Sequence, residues 1–121
     1  MERIKKNDEF QKMYNENNKK VFSHYSVIYL KKNNFEFSRF GIVVSKKNGN
    51  AVVRNRIKRL FREMIRKNLS DIKKGYDVII ISKRQTGENI KEIKYENIEK
   101  DLKKTFLKAG MINWEVFLFF W

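Results

Sequence analysis

The sequence contains no cysteine and no proline, and the first absence limits the sites the chain can build. Without cysteine, its 121 residues form no disulfide and no thiolate metal site, which fits a reducing compartment. No stretch reaches the ~20 apolar residues of a membrane span. The opening MERIKKNDEF lacks the apolar segment of a secretory signal. We therefore expect a soluble, cytoplasmic protein with no membrane partner.

Recognisable catalytic patterns are also missing. His24 is the single histidine, and the acidic residues are scattered without the spacing of a metalloprotease, serine hydrolase or P-loop. We interpret His24 as an ordinary residue on a sheet face. The sequence thus predicts no catalytic residue and no metal site in this chain, so any catalysis would need an active site supplied by a partner.

Acidic residues are few relative to basic ones. The chain has 28 Lys and Arg against 14 Asp and Glu, a formal net charge of +14 and a pI near 10.0. Such a field attracts polyanions. From charge alone, nucleic acid, an anionic membrane surface and an acidic protein all remain open. With 41% hydrophobic residues, the chain is apolar enough to fold as one domain.

Hydrophobic periodicity predicts an α+β fold, a small two-layer α/β sandwich in the order αββαβα. Strands are expected at residues 21–32, 37–45 and 77–82, the last an apolar run typical of a strand buried on both faces. Asn33-Asn34 suggests a tight connection between the first two strands. Alternation within the first strand places Val21, Tyr25, Val27 and Tyr29 on one face, opposite Phe22, Ile28 and Leu30.

Three helices are expected around this sheet. Asn7 can cap a short first helix in which Phe10, Met13 and Tyr14 share a face. A second helix is predicted at 51–68 with Asn50 as its cap. A third is predicted at 95–109, with Gly110 as its stop and an apolar stripe formed by Ile98, Leu102, Phe106 and Ala109.

The segment from Ser45 to Arg62, SKKNGNAVVRNRIKRLFR, is the most informative. Its helix has an apolar stripe formed by Val53, Ile57, Leu60, Phe61, Met64 and Ile65. Another arc is basic, and Glu63 is the only acid from Ala51 to Lys67, whereas an ordinary solvated face mixes charges of both signs. Cations at a helix start are electrostatically unfavourable, but the free N–H groups there suit a phosphate. The pattern indicates a phosphate-rich partner.

These residues also resemble a known family. Ser45-Lys46-Lys47, Gly49-Asn50-Ala51-Val52 and the run RNRIKR at 54–59 resemble the signature of the bacterial ribonuclease P protein subunit. The resemblance extends to Ile4-Lys5-Lys6-Asn7, to the strand that begins at Tyr76 and to the last helix. It covers about residues 3–110, so we expect a family domain at 1–110 and a separate tail at 111–121.

The resemblance implies the protein subunit of a ribonucleoprotein endonuclease that matures the 5′ end of tRNA. Its catalytic centre would belong to the RNA subunit, which uses Mg²⁺, and the protein would also bind precursor tRNA. The family fold includes a left-handed βαβ crossover, against the usual right-handed rule.

Carried onto matching positions, the resemblance assigns two sets of residues. Contacts to the RNA subunit are expected from Lys46, Lys47, Asn50, Arg54, Asn55, Arg56, Lys58, Arg59 and Arg62. Contacts to the 5′ leader of the precursor are expected from Phe10, Tyr14 and Tyr29. A buried helix stripe would show the same spacing at Phe10 and Tyr14, so a core role for them stays open.

Two alternatives accompany this interpretation. The chain could be a structural RNA-binding protein of the ribosomal type without a role in cleavage, or, third in order, a DNA-binding module. No helix-turn-helix pair precedes the basic helix in the expected spacing. The apolar end, NWEVFLFFW at 113–121, departs from the family pattern, and we expect it to pack on the domain or to form an oligomer contact.

Overall fold

The computed structural model describes residues 2–4 and 19–112, which contain a five-stranded mixed sheet and three α-helices. The strands are β1 (Glu2–Arg3), β2 (Lys19–Phe22), β3 (Ser26–Lys32), β4 (Arg39–Val43) and β5 (Tyr76–Ser82). The helices are α1 (Ala51–Asn68), α2 (Arg84–Glu88) and α3 (Tyr95–Lys108). Short 3₁₀ turns occupy Lys46–Asn48, Leu69–Asp71 and Ile90–Glu92.

The spatial strand order is β1-β4-β5-β3-β2. β5 pairs antiparallel with β3 and parallel with β4, and β1 adds a parallel edge beside β4. Helix α1 connects the parallel strands β4 and β5, which gives the sheet a βαβ crossover. This mixed architecture confirms the predicted fold class, whereas the left-handedness of the crossover stays a prediction.

One face of the sheet is closed by helices α1 and α3. Ile28, Leu30, Phe40, Val78 and Ile80 supply the sheet side of this core. The helices supply Ile57, Phe61, Met64, Ile65, Ile98, Leu102 and Phe106, each at most 1% exposed. The apolar stripes predicted for both helices are therefore confirmed, with Val53, Leu60 and Ala109 partly buried beside them.

The helix ends also agree with the sequence. Helix α1 spans Ala51–Asn68, and the Asn50 side chain accepts a hydrogen bond from the Val53 N–H at 3.0 Å. Helix α3 ends one residue before the predicted Ala109. Gly110 follows with φ 77°, and its N–H donates to the Leu107 carbonyl while the Met111 N–H donates to the Phe106 carbonyl. This is the Schellman arrangement that glycine favours after a helix.

The prediction of one continuous strand at 21–32 is wrong, because residues 23–25 form a turn between β2 and β3. The turn has neither glycine nor proline and is held by side chains instead. The hydroxyls of Ser23 and Ser26 lie 2.6 Å apart, and the Asp101 carboxylate on α3 accepts from the His24 and Tyr25 N–H groups. His24 is therefore an exposed turn residue rather than a sheet-face residue.

The same turn reverses the predicted alternation of β2. Val21 packs against the core with Ile28 and Leu30, whereas Phe22 lies on the face that carries Tyr29. Tyr25 also packs against the core. A turn of three residues changes the parity between two strands, so a pattern extrapolated from 27–29 assigns Val21 and Phe22 to the wrong faces.

The second strand is shorter than predicted, and the connection before it is longer. β4 spans Arg39–Val43, and six residues, 33–38, join it to β3 past the end of β5. Asn33 shapes this connection by donating to Asp77 and accepting from the Phe35 N–H. The 84–88 helix was not predicted.

Two predictions lie partly or wholly outside the described residues. The first helix, with Phe10, Met13 and Tyr14, and the end of the tail at 113–121 fall there. The boundary at residue 110 stays a prediction; Met111 and Ile112 are buried, and Ile112 bridges to Ile72. Within the described residues, no helix is long and apolar enough to cross a membrane.

Candidate nucleic-acid interface

The loop before α1 presents two lysines at the positive end of the helix. Lys46 and Lys47 form the start of a 3₁₀ turn and are exposed, and Asn50 then caps α1. The first turn of α1 contains no acid. The helix dipole and these cations therefore add their positive potentials at one place, which disfavours the isolated fold and favours a bound anion.

Buried groups behind this loop fix its position. Asn48 is 3% exposed, and its side-chain oxygen accepts a 3.0 Å hydrogen bond from the Ser82 hydroxyl at the end of β5. Gly87 on α2 packs so closely that an added Cβ would overlap the Asn48 backbone carbonyl. Sequence reasoning missed both contacts; a glycine inside a helical segment is a signal of close packing, but it does not name the partner.

The predicted residues of α1 lie outside its fully buried apolar stripe, with Arg56 on the opposite flank from Arg54 and Lys58. Asn55, Arg56, Arg59 and Arg62 are exposed, whereas Arg54 and Lys58 are half-buried. We call the nine predicted residues from the loop and helix the basic face: Lys46, Lys47, Asn50, Arg54, Asn55, Arg56, Lys58, Arg59 and Arg62. The structure brings all nine onto one loop–helix unit. Among the described residues, none of its cations forms an ion pair with an acid.

The far end of α1 is different. Glu63 forms an ion pair with Lys67 at 3.2 Å and lies 4.0 Å from Arg66. The Lys67 ammonium lies 4.5 Å from the Tyr95 ring centroid. We call Glu63, Arg66 and Lys67 the paired end. Glu63 offsets part of the positive charge of these two cations, which also lie at the negative end of the helix dipole.

A groove of about 460 Å³ runs between these two parts of the helix and the sheet edge, lined by Arg3, Arg59, Arg62, Glu63 and Arg66. Arg3 comes from β1, the parallel edge strand beside β4. No local pattern places Arg3 beside α1, because this contact depends on the order of strands in the sheet. Four guanidinium groups around one carboxylate suit a phosphate backbone.

A hydrogen-bonded network joins the end of α1 to α3. Asn68 donates to Glu99 at 3.1 Å, and the Tyr95 hydroxyl donates to the same carboxylate at 2.7 Å. Burial and this contact raise the pKa of Tyr95. Burial alone would raise the pKa of Glu99, but the two hydrogen bonds, with Lys103 and Lys67 nearby, hold it below its usual value.

Tyr29 lies on the sheet face opposite α1 and α3. It is half-buried and packs with Ile4, Val43, Ile79 and Ile81, of which Ile4 and Ile79 are buried. The Lys20 ammonium lies 5.4 Å from its ring centroid. Phe10 and Tyr14 lie outside the described residues, so their meeting with Tyr29 in one cleft stays a prediction.

The described residues contain no group of three or more His, Cys, Asp or Glu side chains that could hold a metal ion. On the sheet, Arg39 forms an ion pair with Asp77, in which two nitrogens contact two oxygens at 2.9 and 2.6 Å. Arg39 and Asp77 are register partners in β4 and β5, so this pair fixes the parallel pairing. Its role is structural.

Comparison with known proteins identifies the family of this chain. The family model described as Ribonuclease P matches residues 1–110. The chain belongs to the ribonuclease P protein family. A ribonuclease P protein component from Fusobacterium nucleatum is 53% identical over 112 residues, covering 93% of this chain and all of that protein. One from Bacillus cereus is 40% identical over 109 residues, covering 90% of this chain and 91% of that protein.

Solved structures of the family share this fold. The Staphylococcus aureus RNase P protein superimposes with a TM-score of 0.81 at 34% identity, covering 93% of this chain and 99% of that one. The Thermotoga maritima protein gives a TM-score of 0.79 at 32% identity, covering 86% and 94%. The chain is thus an RNA-binding subunit of ribonuclease P, the tRNA-processing ribonucleoprotein, and its partner is the ribonuclease P RNA.

Proposed function

We propose that the basic face binds the catalytic RNA of ribonuclease P, while the Tyr29 side of the sheet binds the 5′ leader of precursor tRNA. Together these contacts support endonucleolytic removal of the leader in the cytoplasm. The observation that supports this most is the basic face itself: its exposed cations lie on the loop before α1 and on that helix, and they have no acidic partners among the described residues.

Each part of the basic face suits a phosphate backbone. Lys46 and Lys47 add point charges beside the N-terminal end of α1, and the arginines add planar groups that bind phosphate with two hydrogen bonds or stack on bases. The Arg54 Nε–H is buried and has no hydrogen-bond partner among the described residues. Asn50 is engaged as the helix cap, so its contribution would come from setting the helix start as well as from its exposed amide.

The leader contact rests on Tyr29, with Phe10 and Tyr14 as its proposed partners. An aromatic ring beside a lysine offers stacking to any base and attraction to the adjoining phosphate, which suits a leader of variable sequence. Because the Tyr29 face is opposite the helix-covered face, a leader bound there would not compete with packing of the main core.

We assign catalysis to the RNA subunit. The Mg²⁺ ions of the reaction would be held by RNA oxygens, and the described residues gather no carboxylate set for a protein-bound ion. The protein would position both RNA molecules through the surfaces described above, without donating or accepting a proton in the reaction.

The decisive experiment separates the protein from the RNA. Purified, RNase-treated protein should leave precursor tRNA intact at any Mg²⁺ concentration, and addition of ribonuclease P RNA should produce a single cut at the mature 5′ end. Heat-denatured protein with the same RNA is the control for RNA-only activity. Cleavage at that position by the RNA-free protein would contradict the assignment.

The leader contact has its own test. Tyr29→Leu keeps an apolar side chain in the sheet but removes the stacking surface. In the holoenzyme it should lower affinity for precursor tRNA by about 1–3 kcal/mol and leave affinity for mature tRNA unchanged. An equal loss for both substrates, together with a lower melting temperature, would assign Tyr29 to the core instead.

A further inference from the structure

Phe22 is an exposed aromatic residue on the Tyr29 side of the sheet. The turn at 23–25 directs it there, and 64% of the residue is exposed, the largest fraction of any phenylalanine among the described residues. Among the described strands β2 lies at one edge of the sheet, so the ring lies near that edge rather than above the central strands. An exposed ring this large contributes little to folding.

Two lysines surround the ring. The Lys20 ammonium lies 5.2 Å from the Phe22 centroid and 5.4 Å from that of Tyr29, so one cation lies between the two rings. The Lys83 ammonium lies 6.0 Å from the Phe22 centroid. Lys83 donates a 2.6 Å hydrogen bond to the Ser23 carbonyl, which holds its charge in place beside the ring.

Strand register connects this cluster to the Tyr29 position. Lys20 pairs with Tyr29 and Phe22 pairs with Val27, so Phe22 and Tyr29 are diagonal neighbours on one face. Such neighbours lie roughly 7–8 Å apart, a separation that nearby nucleotides of an extended single strand can bridge. Val27 aligns through Ile81 with Val43, which places Phe22 at the same end of the sheet as the loop with Lys46 and Lys47.

The chemistry of the cluster favours single-stranded RNA. Because 64% of Phe22 is exposed, its ring can stack on a base of any identity. The Lys20 and Lys83 ammonium groups, within 6.0 Å of the ring centroid, attract the phosphates on either side of that base. A protein that docked an aliphatic side chain on Phe22 would have to accommodate Lys20 and Lys83 as well. The continuity of the cluster with Tyr29 through Lys20 further indicates that both rings contact the same ligand.

We propose that Phe22, Lys20 and Lys83 form an additional stacking subsite for one unpaired nucleotide of the precursor leader, next to the nucleotide bound at Tyr29. This inference rests on the proposed leader contact and extends it across β2 to the edge of the sheet. It makes affinity depend on leader length, because a leader too short to reach Phe22 gains nothing from it.

The test uses the reconstituted holoenzyme and precursor tRNAs in which a single leader nucleotide is replaced by an abasic residue, one position at a time. In the wild type, the abasic position that faces Phe22 should weaken binding roughly fivefold or more. Phe22→Leu should weaken binding of the intact precursor by a similar factor, and the same abasic position should then have no further effect. Phe22→Trp should preserve the wild-type profile.

Phe35 provides a matched control. It is also an exposed phenylalanine, at 48%, with the Arg39 guanidinium 5.0 Å from its centroid, but it lies in the 33–38 connection at the opposite end of the sheet. Phe35→Leu should leave the abasic profile unchanged. A thermal melt of each variant distinguishes lost stacking from lost folding.

Two negative results have different meanings. A wild-type leader effect that Phe22→Leu retains in full would overturn the subsite and leave the Tyr29 contact standing, and Phe22 would then be free to contact a protein. A wild-type holoenzyme that bound precursor and mature tRNA equally would contradict the leader contact itself, and the subsite with it.

Discussion

The basic face and the paired end both include residues of helix α1, but their cations are placed differently relative to the helix dipole and to acidic partners. At the start of α1, Arg54 and Arg56 add to the positive end of the dipole, without an acid in the first turn. At its end, Lys67 contacts Glu63 at 3.2 Å and covers the Tyr95 ring. The paired end follows the rules for stabilising a helix, and the basic face violates them.

This difference separates charges that serve folding from charges that serve binding. Natural sequences break local stability rules chiefly at functional sites. A helix optimised for stability alone would have acids in its first turn and cations in its last turn. Because only the first half of α1 departs from that arrangement, substitutions in the two halves should affect stability and RNA binding differently.

The largest effect is expected from charge reversal on the basic face. Lys47→Glu with Arg56→Glu places acids near the helix start, so stability should change by less than about 0.5 kcal/mol or rise slightly. Affinity for ribonuclease P RNA should fall by at least about 100-fold, since like charges brought together cost several kcal/mol. RNA titration beside thermal unfolding measures both. An affinity within about threefold of wild type would show that Lys47 and Arg56 do not contact the RNA.

A smaller effect is expected from the contact that positions the loop before α1, between Gly87 and Asn48. Gly87→Ala forces a methyl group into the Asn48 carbonyl, so α2 or the loop must move. We expect a stability loss of about 1–3 kcal/mol and a roughly tenfold loss of RNA affinity as Lys46 and Lys47 shift. Gln85→Ala on the exposed side of the same short helix is the control. Equal behaviour of the two variants would show that the loop does not depend on this contact.

The smallest effect concerns pH and the hydrogen-bonded network beside the paired end, in which Glu99 on α3 accepts from Asn68 and Tyr95. Glu99 has a lowered pKa in the folded chain, so its carboxylate stabilises the fold above its unfolded pKa of about 4.3. That contribution disappears as pH falls through the lower folded value. Glu99→Gln should therefore cost about 1–2 kcal/mol near neutral pH and progressively less below about pH 4. Urea denaturation of both proteins across pH 3–7 measures this difference in unfolding free energy. A difference that grew as the pH fell would contradict a lowered pKa for Glu99.

Local patterns in the sequence predicted the helices of this fold well. Helix α1 has its own cap at Asn50, its own apolar period and its own charge arc, so each property can be read within a few turns. The same holds for α3 and its stop at Gly110. The basic face was predicted for the same reason, since all its residues belong to one continuous segment.

Features that depend on distant residues were missed. The turn at 23–25 is stabilised by Asp101 on α3 and by Thr86 on α2, whose hydroxyl donates to the Tyr25 carbonyl. The turn contains neither glycine nor proline, and its one serine, Ser23, is too weak a turn signal to place it from the sequence. This single omission also reversed the face of Phe22 and concealed the aromatic–lysine cluster beside Tyr29. Arg3 and Gly87 were missed because their partners are set by sheet order and helix packing.

The most direct test of the central claim compares two variants that each lose three positive charges. One carries Arg54→Ala, Arg56→Ala and Arg62→Ala in the basic face. The other carries Lys67→Ala, Arg84→Ala and Lys103→Ala, three cations that each lie within 4.0 Å of an acid four residues away. Both variants have the same net charge, so a general field effect would alter them equally.

The measurement is the slope of log affinity for ribonuclease P RNA against log salt concentration, for the wild type and both variants. Each lost phosphate contact reduces the slope by roughly 0.7–0.9. The basic-face variant should therefore have a slope shallower by about two to three. The variant that lacks Lys67, Arg84 and Lys103 should have a slope close to that of the wild type. Equal slopes for the two variants would show that α1 attracts RNA only through net charge, which would contradict a specific RNA-binding face.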